Sequence, residues 1–225
     1  MKTCQLNKKV LRISNHAWEF LNGITSNTKE APNNAFLNIH GRIIAAFNQI
    51  QIDEDDFLIV VEKDYTSALL KHLERFAALS GTKIEQTKLS AYFDLDNSVP
   101  VEGGDQIIPQ KKGKLIITPR NLKTTASEEE FRLFRLANNI PLHGIDFKDD
   151  FLLNVSMSDF VSFTKGCYLG QEPVSKVYNR SKPSWRLTVK KEKECTEEEK
   201  AKMTSVAADP KTGERLGFVF VRSAD

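Results

Sequence analysis

A chain of 225 residues, 40% hydrophobic and 28% charged, has room for one large domain or two smaller ones around a buried core. Its formal net charge of +2 lacks the strong basic bias of a dedicated nucleic-acid binder, so direct nucleic-acid binding is not expected. The three widely spaced cysteines, Cys4, Cys167 and Cys195, form no CxxC pair and argue against a disulfide scaffold, so reduced thiols in the cytoplasm are the expectation.

The N-terminal MKTCQLNKKVLRIS has no apolar signal core, and no apolar run approaches the roughly 20 residues of a membrane span. Lys8–Ser14 alternates in part and predicts a strand. Asn15 is placed to cap a short helix in which Trp18, Phe20 and Leu21 face a core, with Gly23 ending it. Ala35–Ile52 predicts two strands around a turn at His40-Gly41-Arg42. The acids Asp53–Asp56 predict a solvated hairpin turn into the strand FLIVVEK.

Asp64–Gly81 is the clearest helix. Asp64 is its expected cap, Tyr65, Leu69, Leu73, Phe76 and Ala77 its apolar stripe, and Gly81 its stop. TKIEQTKLSAYFDLD, from Thr82 to Asp96, then predicts one strand. This order of elements suits an α+β domain with helices packed on antiparallel sheet. Asn97–Gly113 is a connection with short strands, followed by the strand candidate KLIITPR. Ser127–Ile140 predicts a helix opened by a capping box of Ser127 and Glu130. A smaller β unit starts near Ser181, giving expected domains 1–180 and 181–225. Its strands are SWRLTVKK, MTSVAAD and RLGFVFVR, the last two joined by the turn DPKTGE. ECTEEEKAK between them reads as a charged loop or a short helix.

His16, His40, His72 and His143 are scattered without metal spacing and read as structural or surface residues. No HExxH, Walker A or GxGxxG pattern occurs, and no metal site is expected. VSFTKGCYLGQE (Val161–Glu172) differs in kind. Gly166 and Gly170 permit a sharp path with space beside Cys167, and Lys165 offers a positive charge that would favour a thiolate. A helix starting near Gly170 would add its free N–H groups and put Gln171 and Glu172 in its first turn, where they could bond a polar ligand. On spacing alone, a reactive thiol and a small cysteine buried in a turn fit equally well.

The segment closely resembles the K-G-C-[FY]-x-G-Q-E signature of the YgfZ family, folate-binding proteins related to the T-protein of the glycine cleavage system, an aminomethyltransferase. FLNGITSNT, AFLNIHGRIIAAF and FRLFRLANNIPLHGIDF resemble further family segments, in the right order between Lys8 and Arg186. The resemblance implies an α+β body of ferredoxin-like subdomains with antiparallel sheets around a central hole, T-protein-like, plus a small C-terminal β-barrel. It implies an accessory role in the assembly or repair of iron–sulfur enzymes, including those that thiolate tRNA, with tetrahydrofolate or a related folate as ligand. Carried over by position, Cys167 and Lys165 are the functional pair. Gly166, Tyr168, Gly170, Gln171 and Glu172 complete the signature loop, and Ser26, Asn27 and Arg42 lie near the folate cavity. The expected partners are iron–sulfur enzymes or assembly proteins and a folate-like small molecule, in the cytoplasm and away from membranes.

The chain departs from the family pattern at Thr28, where an acid is usual. It also lacks the acid that folate-using T-proteins carry after the equivalent of Gly41-Arg42. The part after Ser181 is short for the family barrel. Folate-dependent aminomethyl or one-carbon transfer is the alternative activity. A binding module for a protein partner is a third reading, and the near-neutral charge makes RNA its weaker version.

Overall fold

The computed structural model describes residues 1–156 and 158–223. Eleven residues of one strand set the frame. β4 (Ile43–Asp53) pairs with β3 (Asn33–Leu37) on one side and with β5 (Asp56–Glu62) on the other. β2 (Lys8–Ser14) and β6 (Lys83–Gln86) complete a five-stranded antiparallel sheet in the order β3-β4-β5-β2-β6. Both faces of this sheet are buried. On β2 and β5, Leu11, Ile13, Ile59 and Val61 face a cluster with Leu69 and Leu73 of α2 (Thr66–Ser80) and with Phe20 and Leu21 of α1 (Ala17–Ile24). The intervening Val10, Leu58 and Val60 face a second sheet. The two-residue period of a strand therefore splits one apolar run between two cores.

That second sheet has the order β1-β7-β9-β8, with β1 Thr3–Gln5, β7 Ser90–Asp94, β8 Gln106–Pro109 and β9 Lys114–Thr118. Ala91, Ile108, Leu115 and Ile117 are its contribution to the shared core. A third antiparallel sheet, β10-β12-β11, comprises β10 Trp185–Lys191, β11 Thr204–Ala208 and β12 Arg215–Arg222. Its Leu187, Ala207 and Phe218 join one cluster with Leu37, Ile43, Leu152 and Val174 of the rest of the chain. α3 (Glu128–Ala137), α4 (Leu152–Val155), α5 (Gln171–Arg180) and α6 (Glu197–Lys202) complete the α+β architecture.

Several local expectations change. Asn15 does not cap α1, because Asn15 and His16 both take left-handed backbone (φ 60 and 56). The cap comes from far away, with Trp18 N–H donating to Asp55 Oδ1 at 3.1 Å. The acidic turn is thus more than solvated: Asp55 caps α1, and Asp56 is buried and pairs with the Arg12 guanidinium. Gly23 lies inside α1, and Trp18 points outward. Asp64 falls in a 3-10 turn, so α2 starts two residues later, while Gly81 ends it in left-handed conformation. Thr82–Asp96 is two strands: the chain leaves the first sheet after Gln86 and enters the second at Ser90. The capping box of Ser127 and Glu130 is present, and Thr196 and Glu199 make a second that opens α6.

One buried carboxylate ties the third sheet to the body. Asp146 accepts hydrogen bonds from Arg135 Nη1 at 2.7 Å and Leu142 N–H at 2.8 Å. It also accepts from Thr204 Oγ1 at 2.8 Å and Ser205 Oγ at 2.6 Å. Breaking such a pair leaves an uncompensated charge in the interior. Asp146→Ala is expected to lower unfolding free energy by about 3–5 kcal/mol, read from urea denaturation.

Candidate functional site

The signature loop is shaped by two side chains and one glycine. Lys165 is mostly buried, and its ammonium donates to the carbonyls of Thr25 (2.6 Å) and Asn27 (2.9 Å). It also lies 5.2 Å from the centre of the Tyr168 ring. Burial lowers its pKa to about 8. The charge expected to serve the thiol is therefore directed to backbone carbonyls, and Lys165 fastens the loop to the end of α1. Tyr168 is buried in the apolar cluster, which pushes its hydroxyl up to about 12. Phe163 stacks on Tyr178 of α5 with ring centres 3.5 Å apart.

Gly170 is the N-cap of α5 at φ 83, and a Cβ there would sit 2.4 Å from the Asn38 carbonyl oxygen. No L side chain fits that position. Gly166 differs: a Cβ there meets nothing within 4 Å. Gln171, Glu172 and Pro173 form the first turn of α5, where a proline costs no helical hydrogen bond. Among the described residues, the Gln171 and Glu172 side chains have no hydrogen-bond partner, and Glu172 is exposed. Cys167 is exposed, whereas Cys4 and Cys195 are buried and their thiols are pushed up by burial.

Ser26 and Asn27 are engaged with backbone carbonyls of the fold. Ser26 Oγ donates to the Phe160 carbonyl at 2.6 Å. The Asn27 amide donates to the carbonyls of Asn33 (3.0 Å) and Asp159 (3.3 Å). Both residues hold the 159–160 segment in place. Arg42 is exposed, and its Nη1 donates to the Asp149 carbonyl at 2.9 Å.

A different set of residues encloses space. Two adjoining cavities lie where the five-stranded sheet, the four-stranded sheet and α3 meet. Leu6, Lys8, Glu62, Phe131, Leu142 and His143 are common walls. The narrower, about 90 Å³, is an aromatic slot of Phe47, Phe93, Phe131, Phe147 and Phe160 edged by Asn33, Asn48, Gln110, Glu62 and Asp159. The wider, about 610 Å³, adds Tyr65, Arg132, Arg135 and Ser205. Glu62 pairs with Lys8 at 2.8 Å and Asp159 with Lys111 at 2.6 Å. The amide nitrogen of Gln110 is buried without a partner.

His143 is stacked between Tyr65 and Phe147, 4.0 and 5.3 Å between ring centres. Burial, helped by the Lys8 charge and opposed by the Lys148 backbone, lowers its pKa to about 4. The ring is therefore neutral at pH 7. Local spacing in the sequence gave no sign of these walls, because they converge from many separate segments. Among the described residues, no group of three or more His, Cys, Asp or Glu could hold a metal, and no helix is long and apolar enough to cross a membrane.

No family model matches the sequence, and no curated protein matches it. Among solved structures, the aminomethyltransferase T of the glycine cleavage system from Bartonella henselae is similar. Its TM-score is 0.75 at 14% identity, over 98% of this chain and 78% of that one. The chain thus has a T-protein-like α+β fold with several antiparallel sheets, as the signature implied, and its C-terminal strands form a three-stranded sheet.

Two measurements check the site. Gly170→Ala should cost about 1–3 kcal/mol of stability through strained backbone and the Asn38 contact, while Gly166→Ala, at a site with open space, should raise stability by about 0.4–1 kcal/mol. For His143, the folded pKa lies below the unfolded value of 6.5, so its contribution is intact above pH 6.5 and is lost as pH falls toward 4. His143→Phe should remove up to about 3 kcal/mol of that acid-induced loss, seen by comparing denaturation at pH 7 and pH 4.

Proposed function

We propose that this protein binds a ligand of the tetrahydrofolate class in the paired cavity and acts as an accessory in assembly or repair of iron–sulfur enzymes, including tRNA-thiolating ones. Cys167 is its functional thiol, and Lys165 is the residue that positions the loop. The observation that carries the ligand reading is the slot itself. Five phenylalanine rings suit a flat heteroaromatic system, and the side-chain amides of Gln110, Asn33 and Asn48, the last two bonded to each other at 2.7 Å, put polar groups at its edge. A slot of about 90 Å³ holds only a few waters, so a ring system enters when Phe131 or Phe160 turns aside. The iron–sulfur part rests on the signature resemblance and on Cys167 being the exposed thiol of the three.

One-carbon transfer is the weaker reading. The acid after Gly41-Arg42 is missing, and of the acids that line the slot Glu62 and Asp159 are both ion-paired, so neither is a free base.

Calorimetric titration with tetrahydrofolate and its methylene and formyl forms is expected to give heat and a rise in Tm with at least one. No heat and no thermal shift with any of them would refute the ligand reading. Cys167→Ala should abolish complementation of a strain lacking a YgfZ-type protein while leaving the unfolding curve unchanged, since the side chain is exposed. Full rescue by the variant would remove the thiol from the function.

A further inference from the structure

Across the whole chain the charges nearly balance, but they are not evenly spread. Pro173–Lys191, from the first turn of α5 through β10, contains six Lys or Arg and no Asp or Glu. Lys190 and Lys191 are paired with Glu199 and Glu214. Lys176, Arg180, Lys182 and Arg186 are exposed, and among the described residues none of them is in an ion pair.

Where α5 gives way to β10, the chain folds around an open cleft of about 570 Å³. Its walls include Ser181, Lys182, Ser184, Trp185, Arg222 and Ser223. That volume lies in the range of small-molecule sites, about 300–1,000 Å³. Trp185 and Arg222 are cross-strand partners of β10 and β12, so their side chains share one face of the sheet. The Arg222 guanidinium lies over the indole, 5.6 Å from the ring centre, and Trp185 remains 40% exposed. The Ser223 N–H donates to the Ser184 carbonyl at 3.1 Å and ties two of the walls together. No acid is among the walls. Glu198 lies near enough to Arg222 to interact with its charge, but it is exposed and paired with Lys202 at 2.7 Å. Asp225, two positions past Ser223, lies outside the described residues.

We infer that this cleft binds single-stranded nucleic acid without sequence preference. Lys182 and Arg222 meet phosphate oxygens, the serine hydroxyls donate to them, and a base stacks on the Trp185 indole. Cations that follow the phosphates and an open aromatic ring that takes a base are the two elements of sequence-tolerant strand binding. An acidic peptide would use the cations and leave the indole without a ring to cover it. Lys176 and Arg180, four residues apart on one face of α5, continue the positive charge for a strand longer than one nucleotide. The expectation drawn from the net charge of +2 is thereby reversed for this surface, because the total averages over acids that lie elsewhere. The cleft shares no residue with the paired cavity and stands whether or not a folate binds there.

The test uses the full chain and fluorescein-labelled oligo(rU) and oligo(dT) 12-mers, followed by anisotropy. Saturable binding with a Kd below about 100 µM at about 50 mM salt is expected for at least one strand. Trp185→Ala should weaken it about tenfold. Lys182→Gln and Arg222→Gln should each reduce the slope of log affinity against log salt by about 0.7. All three side chains are exposed, so the unfolding curves of the variants are expected to match the wild type. In Trp18→Phe, which leaves Trp185 as the remaining tryptophan of two, the bound strand should quench indole fluorescence. No saturable binding of either strand would overturn the inference, as would unchanged binding in Trp185→Ala and in the Lys182→Gln, Arg222→Gln double variant. Polyglutamate of equal charge that competes as well as the strand would overturn it in favour of an acidic protein surface. UMP that binds as tightly as the 12-mer would overturn it in favour of a free nucleotide.

Discussion

A carboxylate with no access to water survives only if its oxygens are filled by donors, and Asp146 is filled four times over. Its donors come from α3, from the 142–146 turn and from β11, parts far apart in the chain. The geometry they accept is demanding. Ser205 takes left-handed backbone at φ 52, within a register shift of β11 against β12, and so its hydroxyl reaches both Asp146 and Arg135. Gly144 adopts φ 86 where a Cβ would lie 2.7 Å from the Tyr65 ring. The residue between this glycine and the anchored Leu142 is His143. One ion therefore joins the third sheet to the body and sets the wall of both cavities.

The signature loop follows the same logic with the sign reversed. Here a cation is partly buried, and carbonyl oxygens supply its partners. Lys165 receives them from Thr25 and Asn27, and the two residues beside those carbonyls, Ser26 and Asn27, bond onward to Phe160 and Asp159. Phe160 and Asp159 are walls of the aromatic slot. The loop and the slot are thus joined by a continuous set of hydrogen bonds through one short segment. Ser26 and Asn27, which the family likeness assigned to a folate cavity, bond the segment that forms one wall of the slot.

What could be read from the sequence was local. The β2 strand, the β3–β4 hairpin with Gly41 at its turn, the apolar stripe of α2 and the capping box of α3 each depend on residues within a few positions of one another, and each is present. The cap of α1 was missed because its acceptor, Asp55, is 37 residues away. The break in Thr82–Asp96 was missed because both halves have strand character, and only the pairing partners show that they belong to different sheets. The cavity walls carry no spacing signal at all. His143 read as a lone histidine, and its significance comes from Tyr65, Phe147 and Lys8, which folding brings to it. Only the Cys167 loop was recognisable, because its constraints are local: a glycine forced at 170, an aromatic buried at 168 and a lysine turned inward at 165.

The position of the thiol limits its chemistry. Cys167 is exposed and is a wall of neither cavity, and its loop packs against Gly23 and Asn38, which are not walls either. A nucleophile attacking a carbon carried on a ring ligand needs the reacting atoms about 3–3.5 Å apart. A ligand in the slot and a thiol on the surface do not meet that condition. Under the proposed function the two parts therefore act on different molecules: the cavity on a small molecule, the thiol on something large enough to reach it from outside. The hydrogen bonds from Lys165 to the Thr25 and Asn27 carbonyls, and from Ser26 and Asn27 to the main-chain carbonyls of Phe160 and Asp159, fix the backbone of the loop and of that segment relative to one another.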